Sequence, residues 1–112
     1  MGVEWDMTNE YGVVLDRNGY APSVVQLGDC CFKCGRTNGK LDRHEIWGGP
    51  FREKSKRLGA WVLLCHDTCH LNGVHQDAEY ARRLRAFAQG MLQEEYGWST
   101  EEFIKQFGKN YR

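Results

Sequence analysis

The chain has 112 residues and a mass of 13.0 kDa, room for one domain. Its 15 Lys and Arg balance 15 Asp and Glu, and 41% hydrophobic with 27% charged residues is the composition of a soluble globular protein. The longest apolar run, 60–65, falls far short of the ~20 residues of a membrane span, and the first residues show neither the basic nor the apolar region of a signal peptide. A membrane protein, a secreted protein, a repeat array and a multidomain enzyme are therefore not expected; a cytoplasmic protein is.

Residues 1–29 are acidic, with Glu4, Asp6, Glu10, Asp16 and Asp29 against Arg17 alone. Within them Tyr11-Gly-Val-Val-Leu15 and the run 20–26 are β-prone and flank Asp16-Arg-Asn-Gly19. Asn-Gly supplies the positive φ angles of a tight turn, so the segment predicts a β-hairpin, with Pro22 on an edge or in an irregular part of the second arm. From 33 to 58 the charge reverses: Lys33, Arg36, Lys40, Arg43, Arg52, Lys54, Lys56 and Arg57 face only Asp42, Glu45 and Glu53. Such a block suits phosphate contacts, although an ordinary solvated loop is the commoner meaning of a charge run.

Trp61-Val-Leu-Leu-Cys65 reads as a short buried strand or the lead-in to a helix. Asp77 can cap a helix in which Tyr80, Leu84, Phe87, Ala88 and Met91 share one stripe, with Gly97 as its stop. Ser99 and Glu102 form a capping box for a second helix, with Trp98 and Phe103 as its hydrophobic staple. Phe103, Ile104 and Phe107 are expected to pack inward, and Gly108 to end it. These apolar residues, Met91 included, are expected in the core rather than against a cofactor.

The five cysteines are Cys30, Cys31, Cys34, Cys65 and Cys69. An odd number without a signal peptide argues for metal thiolates rather than a disulfide framework. Cys31-Phe-Lys-Cys34-Gly makes a knuckle whose two thiolates can reach one tetrahedral Zn²⁺ at ~2.3 Å, and Cys65-His-Asp-Thr-Cys69 supplies a second pair. Four thiolates close a structural site and leave no open position for catalysis. Cys30 can replace Cys31 with a gap equal to that of the second pair.

The histidines form a second constellation. His44 precedes Glu45 and a Gly-Gly turn, His70 follows the last cysteine, and His75 comes five residues later. Cysteine-anchored segments can bring His44, Glu45, His70 and His75 together. Imidazoles and a carboxylate with an open coordination position make a catalytic divalent metal site.

A Cys-x2-Cys knuckle, a His-bearing hairpin, a second cysteine pair and a His-x4-His segment together resemble the HNH (ββα-metal) endonucleases, which are built on a treble-clef zinc scaffold. The resemblance is closest to short HNH-like proteins of bacteriophages and prophages. It extends to Asn18-Gly19, to Arg52-Glu-Lys-Ser55 and to Phe107-Gly-Lys-Asn-Tyr111, and so spans about residues 11–112.

The resemblance implies an α+β fold: a small zinc-stabilised treble-clef or ββα-metal core (30–76) with an N-terminal β-hairpin (1–29) and two C-terminal helices (77–112), all one HNH-like domain over 1–112. It implies metal-dependent hydrolysis of phosphodiester bonds in DNA. Cys31, Cys34, Cys65 and Cys69 would bind structural Zn²⁺. His44, His70 and His75 would bind a catalytic divalent ion such as Mg²⁺, Mn²⁺, Ni²⁺ or Zn²⁺, and Arg52, Lys54, Lys56 and Arg57 would hold the DNA backbone.

His44 occupies the ligand position of the family's paired motif, and Glu45 stands where the second histidine, the general base, is usual. Either Glu45 is the base, or His44 is and another group binds the metal, or the site is degenerate and only binds DNA. The asparagine of the family name is displaced, with Asn72 its nearest counterpart and Ala60 in the place before the Leu-Leu-Cys65 strand. The alternative function is a non-catalytic zinc-stabilised nucleic-acid-binding module of a phage replication, recombination or packaging assembly. A homodimer or a phage protein partner would engage the amphipathic C-terminal helices.

Overall fold

The computed structural model describes residues 7–74 and 77–112, the side chains of 71–74 excepted. Strands β1 (Leu41–Glu45) and β2 (Trp61–Cys65) pair antiparallel, with Leu41 opposite Cys65 and Glu45 opposite Trp61. A 3-10 turn (Gly49–Phe51) and helix α1 (Arg52–Leu58) connect them. A π-helical segment (His66–Val74) follows β2, and then α2 (Ala78–Tyr96) and α3 (Thr100–Phe107). The chain is thus a small α+β protein, with one sheet of two strands among the described residues.

The hairpin expected around His44 forms from β1 and β2, but the link between its arms is more than a turn, because the basic stretch folds into α1. Pro50 starts the preceding turn, Glu53 sits in the first turn of α1, and Lys56 and Arg57 lie in the last, all favourable to the helix dipole. Ser55 is fully buried and ties α1 to the turn before it: its Oγ donates to the Trp47 carbonyl at 2.9 Å and accepts the Trp47 amide at 3.1 Å. Gly59 ends α1 at φ 80°, and a Cβ there would lie 2.3 Å from the carbonyl oxygen of Pro22. Only glycine meets both demands.

That contact shows what became of the N-terminal hairpin. The turn at 16–19 forms, with the Gly19 amide on the Asp16 carbonyl and the Asp16 amide on the Tyr20 carbonyl. The two arms do not become strands; the isolated bridge of this region joins Thr8 and Val14, around a turn in which the Asn9 side chain accepts the Tyr11 and Val13 amides. The second arm docks on α1 and β2 instead. The Ala21 and Val24 amides bond to the carbonyls of Lys56 and Gly59, Ser23 Oγ donates to the Trp61 carbonyl, and the Trp61 indole donates to that of Ala21. Pro22 has no amide to offer a ladder.

β2 alternates as a strand covered on one face should, with Val62 and Leu64 fully buried. They meet Leu84, Ala88 and Leu92 of α2, Leu58 and Ala60, and an aromatic group of Trp47, Phe103 and Phe107. Asp77 caps α2 by accepting the Tyr80 amide at 3.0 Å, and Ser99 caps α3 by accepting the Glu102 amide at 3.0 Å. Trp98 and Phe103 make the staple, their rings 6.4 Å apart, while the Glu102 carboxylate accepts from Gln106.

Two expectations about the core fail. The inward stripe of α2 is Leu84, Ala88 and Leu92, so Phe87 stands 50% exposed and Met91 is only partly covered. Ile104 is 37% exposed because Phe103 and Phe107 already fill the space under α3. Gln89 is buried without loss, bonded to Gln93, Asn110 and the Tyr111 amide. Among the described residues no helix is long and apolar enough to cross a membrane.

Candidate functional site

Cys31, Cys34, Cys65 and Cys69 converge until their sulfurs all lie within 4.8 Å of one another. Tetrahedral thiolates around Zn²⁺ at ~2.3 Å have sulfurs spaced at ~3.8 Å, so the cluster fits one metal ion. The knuckle is set by backbone bonds, with the Gly35 amide on the Cys31 carbonyl and the Cys31 amide on that of Arg36, both at 2.8 Å. The Phe32 amide joins it to β2 through the Leu63 carbonyl at 2.8 Å.

The choice between Cys30 and Cys31 falls to Cys31. Cys30 lies outside the cluster, and its carbonyl accepts from the Gln26 carboxamide. Burial opposes charge on Cys31, but the amides of Cys34, Cys65 and Lys33 donate toward its sulfur and bring the thiol down to about 6. Burial pushes the thiols of Cys65 and Cys69 up. A bound cation would reverse that direction, since thiolates are the ligand form.

β2 and the π-helical segment carry Cys65 and Cys69 of this cluster, and β1 lies alongside. Alternate residues of a strand face opposite ways. Asp42 and His44 are on one face of β1, Arg43 and Glu45 on the other. On the first face the His44 and His70 rings meet edge to face with centroids 5.1 Å apart. Asp42 Oδ2 lies 2.9 Å from Nδ1 of His70 and 2.6 Å from Nδ1 of His66. An ionised carboxylate only accepts, so both imidazoles donate from Nδ1 and direct Nε2 elsewhere. Partial burial works against the charge on Asp42, but the bonds from His70 and His66 outweigh it and hold the carboxyl below its ordinary range. A hollow of about 180 Å³ beside His44 is also lined by Ile46, Gly48, Leu84 and Arg85.

Glu45 borders that hollow, but its carboxylate is engaged on the opposite face. It accepts from the Tyr20 hydroxyl and pairs with Arg52 at 3.0 Å. Burial alone would raise its pKa, yet these two partners lower it overall. On the same face Arg43 stacks over Tyr20 and Trp61 and pairs with Asp16 at 2.9 Å. His44 and Glu45 are thus neighbours in sequence that serve different surroundings. Asn72 belongs to the π-helical segment, its side chain outside what the structure describes, and His75 lies outside the described residues.

The four basic residues expected to hold a nucleic-acid backbone all lie on α1, and each has an intramolecular partner. Arg52 pairs with Glu45 and Arg57 with Glu10, Lys54 donates to the Gln106 carbonyl, and Lys56 sits over the Tyr20 ring near Glu53. Arg52 is exposed and Arg57 half-buried; surface pairs of this kind contribute ~0.2–1 kcal/mol and exchange readily for phosphate.

Sequence reasoning missed Asp42, His66 and Arg85. The Asp42-x-His44 alternation was a signal for Asp42, since it puts both on one strand face. His66 and Arg85 carried none, the first being hidden in the cysteine spacing and the second in an ordinary amphipathic helix. In comparisons with known proteins, no family model matches the chain, and neither a curated protein nor a solved structure matches it.

Proposed function

We propose that this protein is a metal-dependent endonuclease of the HNH type that hydrolyses phosphodiester bonds in DNA within the bacterial cytoplasm. Its four cysteines would hold a structural zinc at the heart of a treble clef. The observation that carries the reading is the meeting of His44 and His70 at 5.1 Å, with Asp42 bonded to His70. It lies beside a thiol cluster that suits a structural ion, so the histidines need not serve as its ligands.

In this reading His70, held by Asp42 through Nδ1, would hold a divalent ion. That ion, when bound, supplies Lewis-acid stabilisation of charge growing on the phosphoryl oxygens and the leaving group. His44 would take a proton from the attacking water, whose oxygen forms the new bond to phosphorus as the bond to the 3′ oxygen breaks; the 3′ oxygen would leave as an alkoxide and take its proton from solvent water, and His44 would return its own proton to solvent. Assigning the base to His44 rather than Glu45 follows from the engagement of Glu45 with Tyr20 and Arg52. Arg85, which lines the hollow beside His44, is suited to hold the phosphate, and Arg52 and Arg57 to hold flanking backbone.

The deciding experiment is plasmid nicking by zinc-loaded protein with Mg²⁺, Mn²⁺ or Ni²⁺ added, for the wild type and His44→Ala. Metal-dependent nicking that disappears in the variant, at unchanged zinc content, establishes the nuclease. DNA binding without nicking under any metal overturns it in favour of the non-catalytic binding module.

A further inference from the structure

The exposure of Phe87 has its explanation in the pattern around it. Arg83, Phe87, Gly90 and Glu94 follow one another along α2 at intervals of four, three and four residues. That is the alternation of a coiled-coil seam. At 100° per residue its centre lies about 130° from that of the buried line of Leu84, Ala88 and Leu92, so most of it turns away from the protein's own core. Arg83 and Glu94 are exposed, as is Phe87, whose ring lies 6.1 Å from that of Phe32. Next to Phe87 is a hollow of about 300 Å³ bordered by Gly90, Met91, Glu94 and Arg112. A Cβ built on Gly90 would meet only the Arg112 guanidinium, at 3.8 Å.

We infer that two copies of this chain associate through this face of α2, antiparallel, with Phe87 of each seated over Gly90 of the other and Arg83 of each paired with the other's Glu94. One two-fold axis satisfies both contacts, because the step from Arg83 to Phe87 equals the step from Gly90 to Glu94. Antiparallel helices match the two seam positions of one heptad with each other's counterparts, which sets an aromatic ring against a glycine and a cation against an anion. The parallel arrangement would oppose Arg83 to Arg83 and Glu94 to Glu94, so the charges select the direction.

The local charge balance agrees. Arg82 and Arg83 both pair with Glu79, at 2.6 and 2.9 Å, so two guanidiniums divide one carboxylate at this end of the seam. At the other end Glu94 has no ion pair among the described residues. The seated ring of Phe87 would also reach the Arg112 guanidinium, a cation–π contact. None of this depends on the proposed nuclease activity.

Sedimentation equilibrium of the wild type, Arg83→Glu, Glu94→Arg and the double reversal tests the arrangement, with far-UV circular dichroism to confirm folding. We expect a wild-type dimer with Kd below ~100 µM, at least ~10-fold weaker in either single reversal and restored in the double one. Phe87→Ala should weaken association without restoring on charge reversal. Should Arg83→Glu lose helix because Glu79 lies one turn away, Glu94→Arg alone carries the test. A wild type that stays monomeric above that concentration overturns the inference. So does a dimer whose affinity none of these substitutions moves.

Discussion

Asp42 Oδ2 and His70 Nδ1 lie 2.9 Å apart across the junction between β1 and the π-helical segment, and the same oxygen meets His66 at 2.6 Å. One carboxylate thus orients two imidazoles that flank the last cysteine of the thiol cluster. Asp42→Asn keeps the shape and an oxygen that can accept from both rings, but removes the negative charge that strengthens those bonds. If the nuclease reading holds, nicking should fall ~10–100-fold, the usual cost of losing a ligand's outer partner, at unchanged zinc content. Equal nicking by wild type and variant would remove Asp42 from the site.

The thiol cluster makes a prediction about metal content. Cys31→Ser and Cys69→Ser should each lose the bound ion and much of the thermal stability, since ligation and folding are coupled. Cys30→Ser should retain both, because Cys30 lies outside the cluster. Elemental analysis of the three purified variants, with melting curves before and after a chelator, checks this directly.

A third prediction concerns alkaline pH. Burial, together with the Glu45 carboxylate, pushes the Tyr20 hydroxyl up from 10.0 to about 12. The folded state therefore holds this proton more tightly than the unfolded one. Its stabilising contribution is complete below pH 10 and is lost as the pH climbs through about 12. Ultraviolet titration should show a late phase that includes Tyr20 beside the partly buried Tyr80 and Tyr96, and one tyrosine of that phase should ionise earlier in Glu45→Gln, where the anion is gone. Glu45 itself runs the other way: its folded pKa lies below 4.5, so its contribution is present above that pH and disappears as the pH falls through the lower value.

Ser55→Ala should destabilise the fold by ~1–3 kcal/mol in urea unfolding, because it strands the Trp47 amide and carbonyl in a fully buried place. Glu45→Gln should cost less, its partners being nearer solvent.

Much of this fold is written in local chemistry. The cap at Asp77, the cap and staple around Ser99, the strand at 61–65 and the cysteine knuckle were all legible, because each is decided by residues within one or two turns of chain. The N-terminal hairpin was not. Its strand-forming residues were read correctly for β propensity, but their amides found partners on Lys56 and Gly59, far away in sequence. Phe87 misled for a related reason: two overlapping helical stripes were available, and only the packing of Leu92 decided between them. At the site the histidine pair was legible through its cysteine anchors. The divergence of His44 from Glu45 required knowing that 41–45 is a strand, which turns neighbours to opposite faces.

The Gln26 side chain reaches past its own segment and accepts the Leu63 amide at 2.8 Å, while the Leu63 carbonyl takes the amide of Phe32. A narrow sheet has two rims, and the one formed by β2 contains the most apolar stretch of the chain. With Leu63 already spoken for on both its donor and its acceptor, an incoming strand finds no register to copy. A single carboxamide and one loop amide thereby stand in for a third strand, and they guard against the templated stacking that such a stretch would otherwise invite.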